Sequence, residues 1–293
     1  MRQDFYEEYS RIEREHWWFL GRRKIILTIL DRFLSTGPLG YAAEKPPSIE
    51  TASESDIDLK KASPPRLGET QRGLNTVRRS VLDVGIGSGV MLPFLERYGE
   101  VFGCDRESTA LFFSRESAHG RLIQGEAGCL PVADESLELV TLFDLLEHTQ
   151  DDESVLVESM RVLRPGGHLC VTVPAHPWLW GNQDLISRHV RRYRTGELER
   201  KIESAGLHLA YRTHFNTVLF PVVALIRLAR RLSGRQVDAD TVRSDFTMTK
   251  PGPLNDFLKT IFSAEAAWLR RWKLPVGVSL LCLAQKPKWN TGE

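Results

Sequence analysis

The chain has 293 residues, enough for one large or two small domains, with the composition of an ordinary globular protein and a net charge of +1. No apolar run reaches the length of a membrane span, and the charged, amphipathic amino terminus does not read as a signal peptide, so the cytoplasm is the expected compartment. The four cysteines (Cys104, Cys129, Cys170, Cys282) form no Cys-x-x-Cys pair, which argues against a zinc module or a disulfide scaffold and for free thiols.

Residues 1–34 read as two helices. Ile25, Ile26, Ile29, Leu30 and Phe33 recur on one face of the second. Between the helices stands His16-Trp17-Trp18-Phe19, followed by Arg22 and Arg23. The expectation is an N-terminal helical lid, with Trp18 and Arg23 meeting a ligand. Residues 35–79 are rich in Pro, Gly, Ser, Glu and Lys and cannot bury enough apolar surface to offset ordering, so they read as a flexible low-complexity loop. From Ser80 strand and helix alternate. Strands are expected at 80–84, 101–104, 121–124, 137–143, 168–173, 207–215 and 276–284, and helices at 88–98, 107–118, 152–163 and 195–205. No helix is expected between strand 168–173 and Thr195. An insertion over 216–274 carries an apolar run, Val218–Ile226, and a second helix over 254–272, and reads as a helical cap. Such alternation predicts an α/β fold with a parallel sheet covered on both faces, and ligands at the carboxyl ends of its strands.

The chemistry gathers at those ends. Val81-Leu82-Asp83-Val84 runs into Gly85, Gly87 and Gly89 and then an apolar helix start. Glycines at alternate positions allow a tight turn with positive φ and bare backbone against a ligand. The spacing differs from Gly-x-Gly-x-x-Gly, because Val90 stands where the third small residue would. Asp-x-Gly-x-Gly-x-Gly resembles motif I of class I S-adenosylmethionine methyltransferases. The resemblance continues through Asp105, twenty residues after Gly85, then Gly125-Glu126-Ala127 with Leu130-Pro131, Leu146-Glu147-His148, and Arg161 to Leu169. It covers Ser80 to Phe215 and implies a Rossmann-like seven-stranded sheet with helices on both faces. It also implies roles. Asp83 serves the donor's ammonium, Asp105 the ribose hydroxyls, Arg106 the adenine face, Glu126 and Ala127 the adenine edge, and Asp144 and Leu145 the methionine portion. His-Trp-Trp-Phe-x-Gly-Arg-Arg, Pro-Ala-His-x-Trp-Leu-Trp and His-Val-Arg-Arg-Tyr together are similar to a bacterial subgroup of that family.

Charge suggests the acceptor. Val81–Met160 holds sixteen acids against four bases, whereas Arg188–Arg235 holds eleven bases against three acids. An acidic half suits a sulfonium donor, and a basic one suits an anionic acceptor or a charged membrane surface. His148, His176, His189 and Tyr193 are the expected acid–base groups; Trp178, Trp180, Arg191 and Arg192 are the expected acceptor contacts. Asp144, Glu147, His148 and His189 make a conceivable ligand set. Leu-Glu-His is common in members of the family without metal, so none is expected here. The reading is a methyltransferase that uses S-adenosylmethionine, releases S-adenosylhomocysteine, and acts on an anionic or amphipathic small molecule, lipid-linked compounds included, with contact to a membrane surface within its scope. The rivals are a donor-binding protein without turnover and an RNA methyltransferase; nucleic acid is the weaker partner because the basic residues are interleaved with an apolar run.

Overall fold

The computed structural model describes residues 3–34, 79–232 and 251–288. Two helices open the chain, α1 (Gln3–Glu15) and α2 (Trp17–Leu34). The expected flexible loop lies outside the described residues. Then follow β1 (Ser80–Val84), α3 (Leu92–Leu95), β2 (Glu100–Asp105), α4 (Ser108–Ser114), β3 (Leu122–Gln124), β4 (Leu137–Phe143), α5 (Asp152–Val162) and β5 (Leu163–Pro174). The chain continues through α6 (Asn182–Ile186), α7 (Thr195–Ser204), β6 (His208–Phe215), α8 (Phe220–Leu232), α9 (Pro253–Leu269) and β7 (Ser279–Gln285).

The strands form one seven-stranded sheet in the order β3-β2-β1-β4-β5-β7-β6. The first five are parallel to their neighbours, and β7 lies antiparallel between β5 and β6. The sheet is therefore mixed rather than wholly parallel. Burial on both faces explains the nearly unbroken apolar strands. Successive side chains point to opposite faces, so Leu82, Val140, Val171 and Cys282 meet α5 and α7 through Val155, Leu156, Leu198 and Ile202. Their neighbours Val81, Leu139, Cys170 and Leu281 meet α2 and α9 through Ile25, Ile29, Phe262 and Leu269.

Several expectations are corrected. The helix expected over 88–98 shrinks to α3 and one 3₁₀ turn, Glu96–Tyr98, because Gly87 and Gly89 hold φ at 55° and 72° and keep the chain in turn geometry well past the strand. The connection after β5 is not helix-free: it holds a 3₁₀ turn, Pro177–Leu179, and α6. The expected cap divides. α9 packs into the core beside α2 and so belongs to the sheet's own covering layer, whereas α8 leaves Val222, Leu225, Ile226 and Leu228 exposed. Among the described residues no helix is long and apolar enough to cross a membrane. Cys104, Cys170 and Cys282 are buried, Cys129 is exposed, and all four are free thiols.

The junction of α1 and α2 is held from outside. Asn255 of α9 accepts from the Trp17 amide at 2.8 Å and donates to the Glu15 carbonyl at 3.0 Å, satisfying both an orphan amide and an orphan carbonyl at a helix break. Below it α2 runs close to α9, and a Cβ at Gly21 would stand 2.3 Å from Cδ1 of Phe262. Alanine favours a helix by about 1 kcal/mol over glycine, yet overpacking costs about 1–3 kcal/mol. Gly21→Ala is therefore expected to destabilise, and its urea midpoint should fall below that of the wild type; a rise would show that the Phe262 ring yields freely.

Candidate active site

The glycine turn lies at the carboxyl end of β1. Gly85, Gly87 and Gly89 all have positive φ. A Cβ at Gly85 would meet Leu145 at 2.7 Å and one at Gly89 would meet Ser114 at 2.6 Å, so both glycines also permit close packing. Gly87 differs, because among the described residues nothing lies within 4 Å of where its Cβ would be. The turn therefore presents bare backbone to open space at one point. Beside that point Asp105 ends β2. Its Oδ2 accepts from the Gly87 amide at 3.1 Å and its Oδ1 from the Glu107 amide at 2.9 Å. Each carboxylate oxygen retains a second lone pair, the number needed for two vicinal hydroxyls. Gly125 is bonded to the Asp105 carbonyl at 3.2 Å, which brings Glu126 and half-buried Ala127 to the same rim. Arg106 is exposed there, paired with Glu107 at 3.3 Å.

Asp83 is buried and accepts from Thr141, its register partner on β4, at 2.6 Å. Burial pushes its carboxyl up to about 7, against the opposing effects of the Thr141 bond and Arg22. The N-terminal helices close over this region. Arg22 of α2 pairs with Asp144 at 2.7 Å and donates to Thr172 at 3.2 Å, with its guanidinium over the rings of Trp18 and Phe143. Arg23, the arginine expected here, instead covers Phe94 at 4.1 Å. Consecutive helical residues are turned about 100° apart, so only one of the two can face the sheet edge. Glu13 of α1 accepts a hydrogen bond from the Ser88 hydroxyl inside the glycine turn. It was not singled out from the sequence; its only signal is sharing a helix face with Tyr9 four residues earlier.

Burial raises the Glu13 carboxyl from an ordinary 4.5 to about 7, although the Ser88 bond and Arg22 oppose the rise. The folded chain thus keeps this proton between about pH 4.5 and 7 while the unfolded chain releases it. Its contribution lowers stability as pH rises through that window. Glu13→Gln lacks this loss, so the stability of the variant relative to the wild type should climb by roughly 3 kcal/mol from pH 4.5 to 7.5. Urea unfolding at four pH values measures it, and a flat difference would show that the carboxyl is solvated.

The carboxyl ends of β4 and β5 carry the remaining candidates. His176 adopts φ 60°, with its ring stacked on His214 at 5.3 Å and beside Trp178 at 5.9 Å. Trp178 and Trp180 are exposed, as are Leu185, Ile186 and Val190 on the same connection. Burial and the nearby Arg192 charge hold the His176 imidazole below its ordinary value, and hence neutral. Three other expectations are corrected here. Tyr193 is fully buried, its hydroxyl donating to Asp152 at 2.6 Å, so it holds the loop to α5 and is closed to an acceptor. Arg192 is buried and donates to Asp184 at 2.7 Å and to the Ala175 carbonyl at 3.1 Å, which leaves no open fork for an anion. Arg191 pairs with Asp152 at 3.1 Å and donates to the Gln150 carbonyl at 2.7 Å. Asp184, also missed from the sequence, is the hub of this loop. Burial alone would raise its carboxyl, but the His189 bond and Arg192 hold it below the usual carboxylate range. His189 lies 4.7 Å from His148, ring to ring.

A cavity of about 570 Å³ lies at the opposite, amino-terminal edge, between Tyr98, Glu138 and His168. It is remote from the glycine turn, and parallel sheets bind at the other edge.

Residues 82–171 match the family described as Methyltransferase domain. The chain is 27% identical over 175 residues to a protein named as a probable S-adenosylmethionine-dependent methyltransferase of Mycolicibacterium smegmatis, covering 57% of this chain and 65% of that protein. It is 27% identical over 163 residues to a ubiquinone biosynthesis O-methyltransferase of Acinetobacter baumannii, covering 48% and 69%. It is 32% identical over 126 residues to a ubiquinone/menaquinone biosynthesis C-methyltransferase of Legionella pneumophila, covering 38% and 50%. The chain thus spans between half and about two thirds of the length of these curated relatives. A solved structure of a SAM-dependent methyltransferase from Thermotoga maritima shares the fold, with a TM-score of 0.51 at 16% identity over 97% of both chains. With Gly87 beside Asp105 at the carboxyl edge of a sheet in this order, and a methyltransferase domain matched over residues 82–171, the chain is similar to the class I S-adenosylmethionine-dependent methyltransferases.

Proposed function

We propose that the chain transfers the sulfonium methyl of S-adenosylmethionine to a small amphipathic acceptor and releases S-adenosylhomocysteine. The observation that carries this is Gly87, whose bare backbone faces open space next to an Asp105 already oriented by two amides. The donor's adenosine would lie from Gly87 past Asp105 to Ala127, and its amino acid end beneath α1 and α2. In that reading the first 34 residues are the lid, with Glu13 and Arg22 in the roles expected of Arg23. Methyl transfer is an in-line displacement, and aligning donor and acceptor supplies several kcal/mol of barrier reduction.

The acceptor reading rests on the connection after β5. Exposed Trp178, Trp180, Leu185 and Ile186 favour a flat, apolar body. Two relatives named for ubiquinone biosynthesis point toward ring-bearing, lipid-tailed acceptors. The anionic part of the expectation loses its support, since Arg191 and Arg192 are paired within the chain. Where the acceptor must lose a proton, neutral His176, whose buried Nε2 lacks a hydrogen-bond partner among the described residues, is the base at this edge.

The test is turnover. The full chain is incubated with S-adenosylmethionine and a panel of alkylated phenols, catechols and simple anionic acceptors, and S-adenosylhomocysteine is quantified by mass spectrometry. Acceptor-dependent product is expected with the apolar phenols. Donor binding without turnover across the panel would favour the binding-protein reading, and absence of donor binding would overturn the assignment.

A further inference from the structure

Glu147, His148 and His189 turn one ligand atom each toward a common point, and the three atoms lie within 4.8 Å of one another. The backbone builds this meeting. Glu147 and His148 come from the 3₁₀ turn Leu146–His148 at the end of β4. His189 arrives forty-one residues later, held in place because the Val190 amide donates to the Glu147 carbonyl at 2.7 Å and the His189 amide to the Asp184 carbonyl at 2.8 Å.

Each donor group has one side occupied and one side free. Nδ1 of His189 bonds Asp184 Oδ1 at 2.9 Å. Asp184 is anionic and further held by Arg192 and the Gly181 amide, so Nδ1 carries the proton and Nε2 the lone pair. One ring nitrogen of His148 bonds the Arg188 backbone, which leaves the other as an acceptor. Glu147 is 1% exposed, and its Oε2 has no hydrogen-bond partner among the described residues. A buried carboxylate oxygen without a partner costs free energy that a cation would remove. Histidines with their second nitrogen tied to a carboxylate or a backbone carbonyl are the outer-shell pattern of metal sites.

We propose that Glu147, His148 and His189 hold a divalent first-row metal ion, with Asp184 and the Arg188 carbonyl as its outer shell. Two imidazole nitrogens and one carboxylate oxygen suit zinc, iron(II), manganese or cobalt better than calcium or magnesium, which take oxygen donors. Ligand atoms about 2.1 Å from such an ion lie about 3–3.5 Å apart, so the side chains must close in. His148, the exposed member of the three, stands at the rim of the group. Asp144 is not a fourth ligand in this arrangement, because Arg22 already holds it at 2.7 Å. Three protein ligands leave a coordination place open at the edge where the acceptor is placed, and a hydroxyl bound there would have its pKa lowered by the ion. This replaces the expectation of a metal-free protein. Ion binding does not depend on the methyl-transfer reading, and the test keeps the two apart.

The full chain is stripped with chelator, dialysed and titrated with cobalt(II), followed by visible absorption and by calorimetry with zinc as competitor. One ion per chain and a ligand-field band displaced by zinc are expected. Glu147→Gln and His189→Ala should weaken binding at least 100-fold, and Asp184→Asn by 10–100-fold, the usual range for an outer-shell partner. His148→Ala changes only a rim residue and serves as the variant least able to disturb folding, which circular dichroism verifies. No band and no heat with the wild type at millimolar cobalt would overturn the site. So would equal affinity in the wild type and a folded His148→Ala. Donor affinity measured in parallel reports on the cofactor assignment separately.

Discussion

Asp105→Ala is expected to weaken S-adenosylmethionine binding by more than 100-fold. In the proposed reading the carboxylate accepts from two ribose hydroxyls, and hydrogen bonds to a charged group contribute about 1.5–3 kcal/mol each. Losing both removes about 3–6 kcal/mol, and each 1.4 kcal/mol is a factor of ten. The structure adds a second contribution. The same carboxylate accepts from the amides of Gly87 and Glu107, so its removal also loosens the turn that presents bare backbone to the donor. Asp105→Asn separates the two effects, because one oxygen remains for a backbone amide while the charge is lost. Calorimetry with S-adenosylhomocysteine measures both variants. An affinity within threefold of the wild type in a folded Asp105→Ala would remove Asp105 from the donor site.

Asp184→Ala carries the largest expected loss of stability. Asp184 is 0% exposed and pairs with Arg192, itself only 8% exposed. Alanine would leave the guanidinium buried with the Ala175 carbonyl and no counter-ion. Breaking a buried pair by removing one partner costs about 3–5 kcal/mol, mostly from the charge left behind. For a chain of this size that lowers the melting temperature by roughly 10 °C. The double replacement Asp184→Leu with Arg192→Met tests the cause, since an apolar pair of similar volume often restores stability. Urea unfolding of the two variants should place the double replacement well above the single one. If Asp184→Ala unfolds within 1 kcal/mol of the wild type, water reaches the pair and the loop has another anchor.

The glycine turn, Asp105 and the runs of apolar strand were legible in the sequence because each depends on local chemistry. Positive φ demands glycine at 85, 87 and 89, and strands buried on both faces must be apolar throughout. Asp83 and Asp105 could be read as strand-end acids for the same reason. The basic second half misled, because net charge along the chain says nothing of partners across it. Arg191 and Lys201 pair with Asp152, and Arg192 with Asp184. These three of the eleven bases are thus the acidic half's own counter-charge or are consumed within the loop.

What only the tertiary structure decided are relations between distant segments. β7 runs antiparallel between β5 and β6, although nothing in its seven residues marks its direction. α9 becomes a layer of the core because Gly21 of α2 leaves room for Phe262. Helix α2 aims Arg22 rather than Arg23 at Asp144, a choice set by rotation about its axis when Asn255 fixes its first turn. Glu13 reaches Ser88, and His189 reaches Glu147 and His148, across seventy-five and about forty residues respectively. Local periodicity and dihedral preference act over a few residues, so they determine elements and turns. Contacts across tens of residues depend on how the whole chain packs, and packing alone brought these groups together.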